Sequence, residues 1–348
     1  MKIADLDFYL LDPAGGGADS PERTLLVRVV TADGREGWGE SHCVWRASEL
    51  APRRESLLPI LAGRSVSAVE ELLEMEALAP PALRAAIEMA CWDLIGRLSR
   101  QPLCRMWGGE YRPRVPLAMR LPVAPPERAA PLSREFDERG FHTQIVVATG
   151  NLEEDMAAIS AVRDAAPGRM KLRVDGRGRF AVSEARELCR RLERTAIEML
   201  IDPLDSGLEG VAELARQTSV PLAISAAIRS PADILSLWRR GAAPHLVIDI
   251  AVVGGLWPAR QCAIVAAATQ LPASLRGGAG LGVALAGMLQ LAAAVPNLAL
   301  AHEYASYQLH EDVLRDRSTV VDGTVSIDQG PGLGVEIDRA RIEKYLVT

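Results

Sequence analysis

The chain has 348 residues, 49% of them hydrophobic, and a formal net charge of −6 at pH 7, which predicts a globular protein with a large core and about two domains. Its acidic and basic residues are interspersed without a basic run, which argues against nucleic acid as a partner. No apolar stretch approaches the roughly 20 residues that are needed to cross a bilayer. Acidic residues also interrupt the N-terminal sequence, where a signal peptide would need an apolar run. No membrane partner is therefore expected, and the cytoplasm is the default location.

Residues 1–112 have the pattern of an α+β domain. A strand over Thr24–Thr31 precedes a helical pattern over residues 82–98, so strands come before helices instead of alternating with them. Three consecutive glycines at 15–17 lie in a loop of residues 12–21. Their conformational freedom suits a lid.

Residues 113–303 alternate short apolar runs with helical patterns, which is typical of repeated βα units and a parallel sheet. Eight strands are expected to begin near Val115, Thr143, Met170, Glu198, Pro221, His245, Pro272 and Leu298. Helix starts are marked as well, for example by Asn151 with Glu154 three residues later, the spacing of a capping box. Because an open sheet of this size would leave unpaired edges, we predict a closed (β/α) barrel.

Residues 304–348 contain no further βα unit. Two short β patterns, at residues 319–321 and 324–327, flank Asp322-Gly323, which indicates a hairpin. Together with residues 335–337, this hairpin is expected to rejoin the first domain.

Three passages carry a resemblance to a known family. They are residues 82–109 (ALRAAIEMACWDLIGRLSRQPLCRMWGG), residues 322–336 (DGTVSIDQGPGLGVE) and the tetrapeptide Gly37-Trp38-Gly39-Glu40. Taken singly, each passage is an ordinary turn or helix sequence that could occur in many proteins. In this order around an eight-unit barrel, they resemble the capping-domain helix pair, the C-terminal passage and the early hairpin of the mandelate racemase and muconate lactonizing enzyme branch of the enolase superfamily.

The resemblance implies a capping domain over a TIM-type barrel, with the site at the C-terminal ends of the barrel strands. It also implies a homo-oligomer that acts on a small carboxylate as an isomerase or lyase, of racemase, cycloisomerase or dehydratase type. In this family, carboxylates on the third, fourth and fifth strands hold Mg²⁺, while Lys or His moves the proton next to the substrate carboxylate. No organic cofactor is implied.

The metal positions of the family are mostly substituted in this chain. Asp175 matches the first ligand, but Arg177 replaces the amide two residues later. Ile201 stands where the second carboxylate belongs, and Asp202, one residue on, should point to the other face. The fifth strand ends in Ser225-Ala226, without a carboxylate. Mg²⁺ is thus implied by the resemblance, but a single aspartate predicts no tight binding.

The acid and base positions are also depleted. The second strand carries the apolar run of residues 145–147 where the family has Lys-x-Lys, and the seventh strand, which ends at Arg276, has no histidine. On the sixth strand, Asp249 matches the aspartate of the racemase His-Asp dyad. On the eighth, Glu303 matches a glutamate that donates to the substrate carboxylate.

The resemblance brings the remaining charged residues to one barrel mouth. Our hypothesis is that Arg177 stands where the charge of the metal would be, pairing with Asp175 and with either Glu303 or the substrate carboxylate. Asp249, Glu303 and Arg177 are the candidate catalytic residues, and Arg276 is a candidate for substrate binding. The alternative is a structural salt-bridge network in a disused site.

Two loops are further candidates. His42 and Arg46 follow the early hairpin and could reach over the barrel to bind substrate, with His42 as a base from the lid; the alternative is a surface histidine without a role. The glycine-rich residues 277–280 could present backbone N–H groups to an anion, or could serve turn geometry alone.

Two functions remain open at this point. The first is an isomerase or lyase that transfers a proton alpha to a small carboxylate in an altered, metal-poor site. The second is a carboxylate-binding or scaffold protein that has lost the chemistry.

Overall fold

The structure is a computed structural model that describes residues 1–12, 23–43, 45–166, 168, 170–204, 207–242, 244–277, 280–304, 312–316 and 318–347. Nearly all of the loop predicted as a lid, residues 12–21, lies outside these ranges. Within them, every helix is too short or too polar to cross a membrane.

The first domain places helices against a three-stranded antiparallel sheet. Its strands are β1 (Ile3–Leu11), β2 (Thr24–Thr31) and β3 (Glu36–His42), and its helices are α1 (Ala47–Leu61), α2 (Val69–Leu73), α3 (Pro81–Ser99) and α4 (Leu103–Met106). Helix α3 lies so close to β3 that a Cβ atom at Gly39 would come within 1.9 Å of the Ala86 carbonyl oxygen. The glycines of the early hairpin are therefore required for this packing.

The second domain is a closed barrel of eight parallel strands, as predicted. The strands are β4 (Arg114–Arg120), β5 (Thr143–Val147), β6 (Lys171–Asp175), β7 (Met199–Ile201), β8 (Leu222–Ile224), β9 (His245–Asp249), β10 (Ala273–Arg276) and β11 (His302–Tyr304). Neighbours in sequence pair with each other, and β11 closes the ring on β4 with His302 opposite Leu117.

Helices surround this ring on the outside. They are α5 (Pro126–Glu138), α6 (Leu152–Ala165), α7 (Val182–Leu192), α8 (Leu208–Gln217), α9 (Pro231–Arg240), α10 (Ile250–Val253), α11 (Leu256–Ala268) and α12 (Val283–Ala294). Strand residues that face the helices join the main apolar core, whereas Met199, Ile201, Ala223 and Val247 form a separate cluster. This division follows from the alternation of side chains along each strand, and it identifies the second cluster as the filling of the barrel.

The C-terminal segment corrects one prediction. It contains β12 (Val320–Val321), β13 (Thr324–Ser326) and α13 (Arg339–Tyr345). The β12–β13 hairpin exists, but β13 pairs antiparallel with β4, Val325 opposite Val115, and so extends the barrel sheet instead of the first domain. The residues after the hairpin do return to the first domain, where the Leu333 N–H donates to Asp93 at 3.0 Å.

Two buried glutamates join the domains. Glu40 on β3 accepts hydrogen bonds from the N–H groups of Leu281 and Ala284 at the start of α12. Glu88 on α3 accepts from the N–H groups of Leu256 and Trp257 at the start of α11, both at 2.8 Å. Because the first N–H groups of a helix have no partner within it, the first domain supplies the caps of two barrel helices.

Candidate active site

Asp175 lies at the C-terminal end of β6, where the strands open into the barrel mouth. Its Oδ1 accepts a hydrogen bond from the Arg177 backbone N–H at 2.9 Å. Its Oδ2 lies 2.7 Å from Arg120 Nη2 and 3.2 Å from Arg276 Nη2. Burial alone would raise the pKa of Asp175, but the two guanidinium charges outweigh it and lower this pKa.

Glu303 on β11 binds the same two arginines. Its Oε2 lies 2.6 Å from Arg276 Nε and 3.3 Å from Arg120 Nη1, and its Oε1 accepts from Arg276 Nη2 at 2.9 Å. Arg120, Asp175, Arg276 and Glu303 thus form one network, called here the mouth cluster. Its bidentate Arg276–Glu303 contact has the geometry in which guanidinium and carboxylate bind most strongly.

Arg276 reaches across the barrel. Strands β6 and β10 are the third and seventh of the eight in the ring, so Arg276 and Asp175 start from opposite walls. Burial lowers the pKa of Arg276, but the charges of Glu303, Asp175 and Asp249 raise it above the ordinary value. Its side chain remains 20% exposed, and its Nη1 has no hydrogen-bond partner among the described residues.

Asp249 lies beside this network, opposite Arg276 in the β9–β10 register. Its Oδ1 caps α10 by accepting from the N–H groups of Ala251 and Val252, at 3.0 and 3.3 Å. Burial raises the pKa of Asp249, although the charges of Arg276 and His42 partly oppose this. Its Oδ2 has no hydrogen-bond partner in the part of the chain that the structure describes, so it is available to a ligand.

The hypothesis about Arg177 needs correction. Its backbone N–H, not its guanidinium, binds Asp175, and no described carboxylate lies within ion-pair distance of its side chain. The backbone at Arg177 is left-handed, with φ of 53°, which ends the strand pattern and leaves the side chain exposed. Arg276 and Arg120 hold the position that we predicted for Arg177.

The alternation from which the direction of Asp202 was predicted does not extend to this residue. Strand β7 ends at Ile201, and Asp202 takes a left-handed φ of 43°. Its Oδ1 accepts from the Ser225 N–H at 2.8 Å, and its pKa is raised by burial and by Asp175. The carboxyl group therefore lies near the mouth, because alternation of side chains holds only within an extended strand.

The residues present do not fit Mg²⁺. Both Asp175 oxygens are already engaged, and Ile201, at the second ligand position, is fully buried in the apolar filling of the barrel. No group of three or more His, Cys, Asp or Glu residues that could hold a metal occurs in the described ranges. Of the three ligand positions implied by the resemblance, only that of Asp175 holds a carboxylate, and a hard cation needs several oxygen ligands.

His42 and Arg46 lie in different surroundings. His42 ends β3, is exposed, and is near enough to Asp249 for its charge to act on that carboxyl group. Arg46 precedes α1, where its N–H donates to Glu49 at 2.8 Å. Its guanidinium forms no ion pair with a described residue, so substrate binding by Arg46 stays a prediction.

The glycine loop of residues 277–280 is a weaker anion site than predicted. Residues 278 and 279 lie outside the described ranges. The N–H groups of Leu281 and Ala284, which follow the loop, are bound by Glu40. A carboxylate of the chain itself therefore occupies the start of α12.

Sequence reasoning found three members of the mouth cluster and missed the fourth. Arg120 is the last residue of β4. We located the start of that strand but did not consider its C-terminal end, although side chains at the C-terminal ends of barrel strands line the mouth. The signal was present.

Comparisons with known proteins agree with this architecture. Residues 127–341 match the family model "Enolase C-terminal domain-like", and residues 17–108 match "Mandelate racemase / muconate lactonizing enzyme, N-terminal domain". A protein of Streptomyces coelicolor named probable glucarate dehydratase is 29% identical over 91% of this chain and 83% of its own length. Muconate cycloisomerase 1 of Rhodococcus opacus is 27% identical over 92% and 90%.

Solved structures give the same result. The crystal structure of an isomerase from Streptomyces coelicolor A3(2) superimposes with a TM-score of 0.86 and 29% identity, over 99% of this chain and 98% of that one. The barrel, its cap and both family models agree. The chain belongs to the enolase superfamily, in the mandelate racemase and muconate lactonizing enzyme branch.

Proposed function

We propose that this protein is an isomerase or lyase that acts on a small carboxylate and uses guanidinium charge in place of a divalent cation. The observation that carries the proposal is Arg276, which crosses the barrel mouth to Asp175 and binds Glu303 in a bidentate contact. We further propose that it is a homo-oligomer, as the resemblance implies, and that it acts in the cytoplasm.

The proposed site meets the first demand of the reaction. A proton alpha to a carboxylate is weakly acidic, so its removal needs positive charge on the oxygens where negative charge develops. Arg276 Nη1 is a donor without a partner among the described residues, on a side chain that is 20% exposed at the mouth. Because a guanidinium stays charged and binds carboxylates through its N–H groups, Arg276 can hold the substrate carboxylate.

Asp249 meets the second demand. Its raised pKa makes it a stronger base than an ordinary aspartate, and its Oδ2 is free of described partners. In the proposed step, Asp249 takes the alpha proton and the C–H electron pair moves into the substrate carboxylate as an enediolate. Delivery of a proton to the opposite face of that carbon, or to another carbon of the substrate, completes an isomerisation, whereas departure of a β-substituent with its electron pair completes an elimination. Support comes from relatives whose names include both a cycloisomerase and a dehydratase.

A second candidate function is that of a carboxylate-binding or scaffold protein without chemistry. The observation that favours it is the pairing of Arg120 and Arg276 with Asp175 and Glu303, which leaves each charge with a partner. Such networks also arise for structural reasons.

Exchange of alpha protons for deuterons separates the two candidates. EDTA-treated protein is incubated in D₂O with a panel of 2-hydroxy, N-acyl amino and aryl carboxylates, and loss of the alpha-proton signal is followed by NMR. We expect exchange that Asp249→Asn abolishes, while the surface control Asp164→Asn on α6 retains it.

Two outcomes would contradict the proposal. Exchange that appears only after Mg²⁺ is added would refute the role of the guanidinium groups. Binding of carboxylates without any exchange would favour the second candidate.

A further inference from the structure

A cavity of ≈ 420 Å³ lies between the first domain and the barrel. This is within the range of roughly 300 to 1,000 Å³ that small-molecule sites occupy. Apolar side chains from both domains form its wall, among them Leu25, Trp45, Pro80 and Leu83 from the first domain and Val252 from the barrel. Among the described residues, His42 and Arg229 are the charged or titratable groups that line it, apart from the buried thiol of Cys43.

The cavity adjoins the candidate base. Ala251 and Val252, which line the cavity, are the residues whose N–H groups bind Asp249 Oδ1. His42 both lines the cavity and acts electrostatically on Asp249. The first turn of α10 and His42 thus border both the cavity and the Asp249 carboxyl group, so the cavity adjoins the mouth at which the carboxylate of a ligand would bind.

We infer that the substrate is a carboxylate with an apolar body, aromatic or branched alkyl, and not a polyhydroxy acid. This inference rests on the proposed function, because it assumes that the carboxylate end binds at the mouth. A buried hydroxyl is costly unless it finds a hydrogen-bond partner. A wall made mainly of Leu, Trp, Pro and Val side chains offers few such partners.

The same wall disfavours a basic substrate. Arg229 is exposed and forms no ion pair with a described residue. Its positive charge would repel an ammonium or guanidinium group on the substrate. The substrate class is therefore an acid whose remainder is neutral and apolar.

Trp45 makes a defined face of the cavity. Arg53 stacks over its ring at 4.0 Å, and Phe8 packs edge-on with ring centroids 6.2 Å apart. A ring held from two sides loses little freedom when a ligand arrives. It is also a fluorophore at the position where an aryl ligand would lie.

Calorimetry on the full chain with three carboxylates tests the inference. The probes are 3-phenylpropionate, propionate and D-gluconate, each titrated into EDTA-treated protein. We expect 3-phenylpropionate to bind at least about tenfold more tightly than the other two, since one buried aromatic group contributes at least that much. It should also change the tryptophan emission, and Trp45→Phe should remove that change.

A substitution that fills the cavity can be compared with the same substitution outside it. Ala82 lines the cavity in the first turn of α3, whereas Ala157 is exposed on α6, outside the cavity. Ala82→Trp should bring the affinity for 3-phenylpropionate down to that of propionate, and Ala157→Trp should not change it. If Ala82→Trp does not fold, the emission change on the wild-type chain and its loss in Trp45→Phe decide the question.

The outcomes distinguish this inference from the proposed function. Equal binding of propionate and 3-phenylpropionate would overturn the apolar substrate class and leave carboxylate binding at the mouth intact. Tightest binding of D-gluconate would overturn it in favour of a polyhydroxy acid. Binding of none of the three would overturn both.

Discussion

The described residues of the barrel form two arginine–carboxylate groupings on its inner wall, one at the floor and one at the mouth. At the floor, Arg173 is fully buried and binds Glu198 at 2.6 Å, and Lys171 binds the same glutamate at 3.1 Å. At the mouth, Arg276 keeps 20% of its side chain exposed and is shared by two carboxylates. The same chemistry is therefore closed to ligands at one end of the barrel and open at the other.

An ion pair inside a barrel is therefore not by itself a sign of function. In barrel enzymes, the C-terminal ends of the strands carry the chemistry and the opposite end serves stability. The mouth cluster lies at the first of these ends, beside Asp249 and a cavity. The Arg173–Glu198 pair at the floor therefore serves as a control for every experiment on the mouth cluster.

The largest effect is expected from Arg276→Ala. It leaves Glu303, with only Arg120 at 3.3 Å, as a buried charge, and removing one partner of a buried pair costs about 3–5 kcal/mol. Urea denaturation should show a fall of this size in the free energy of unfolding, and calorimetry should show that carboxylate binding is lost. Full carboxylate affinity in a folded Arg276→Ala protein would place the binding site elsewhere.

A smaller effect is expected at the floor. Arg173→Met leaves Glu198 with Lys171 and 13% exposure, so the free energy of unfolding should fall by less than at the mouth, about 2 kcal/mol. Carboxylate affinity should not change. A parallel loss of affinity would mean that the floor pair supports the mouth and that the two ends are not independent.

The next effect is a dependence of stability on pH that comes from His302. Burial and the charges of Arg173 and Arg112 lower its pKa from 6.5 to about 3. Between these values only the unfolded chain takes up the proton, so the free energy of unfolding falls as pH falls. It should be about 1.4 kcal/mol lower at pH 5.5 than at pH 7.5 on this account.

The variant that checks this is His302→Gln, in which the amide oxygen can still accept the hydrogen bond that the Leu275 N–H donates to Nδ1. His142→Gln, at a half-exposed surface histidine, is the control. Urea denaturation at the two pH values should show a flatter dependence for His302→Gln only. The same flattening in His142→Gln would show that the assignment to His302 is wrong.

The smallest effect is expected from Arg46→Ala. Its backbone N–H still donates to Glu49, and its exposed side chain has no described ion-pair partner, so stability should change by less than about 0.5 kcal/mol. Carboxylate affinity measured by calorimetry is the informative quantity. A drop of tenfold or more would support the predicted substrate contact, and an unchanged value would remove Arg46 from the site.

The fold followed from the sequence because its signals are local and repeated. The strands at Thr143 and His245 begin where predicted, since turn residues and apolar runs mark them directly. The last strand was placed too early. Leu298 is fully buried and so resembles a strand residue, but pairing with β4 begins at His302.

The site was harder to predict because its geometry depends on closure of the barrel. Sequence alignment brought Arg177 next to Asp175, yet a left-handed turn carries its side chain away. Arg276 is 101 positions from Asp175 in sequence, and it reaches this carboxylate only because the ring places their strands on opposite walls. Which of several arginines fills a central position is a question of side-chain reach, which residue spacing does not encode.

Glu40 and Glu88 limit how the two domains can be separated or exchanged between relatives. Each side chain is a carboxylate of the first domain that accepts hydrogen bonds from the first N–H groups of a barrel helix. A barrel cut away from its first domain would expose the starts of α11 and α12 without caps, and a first domain grafted from a relative would need carboxylates at the same two places. We therefore expect the two domains to unfold as one cooperative unit, so that neither can be exchanged without the other.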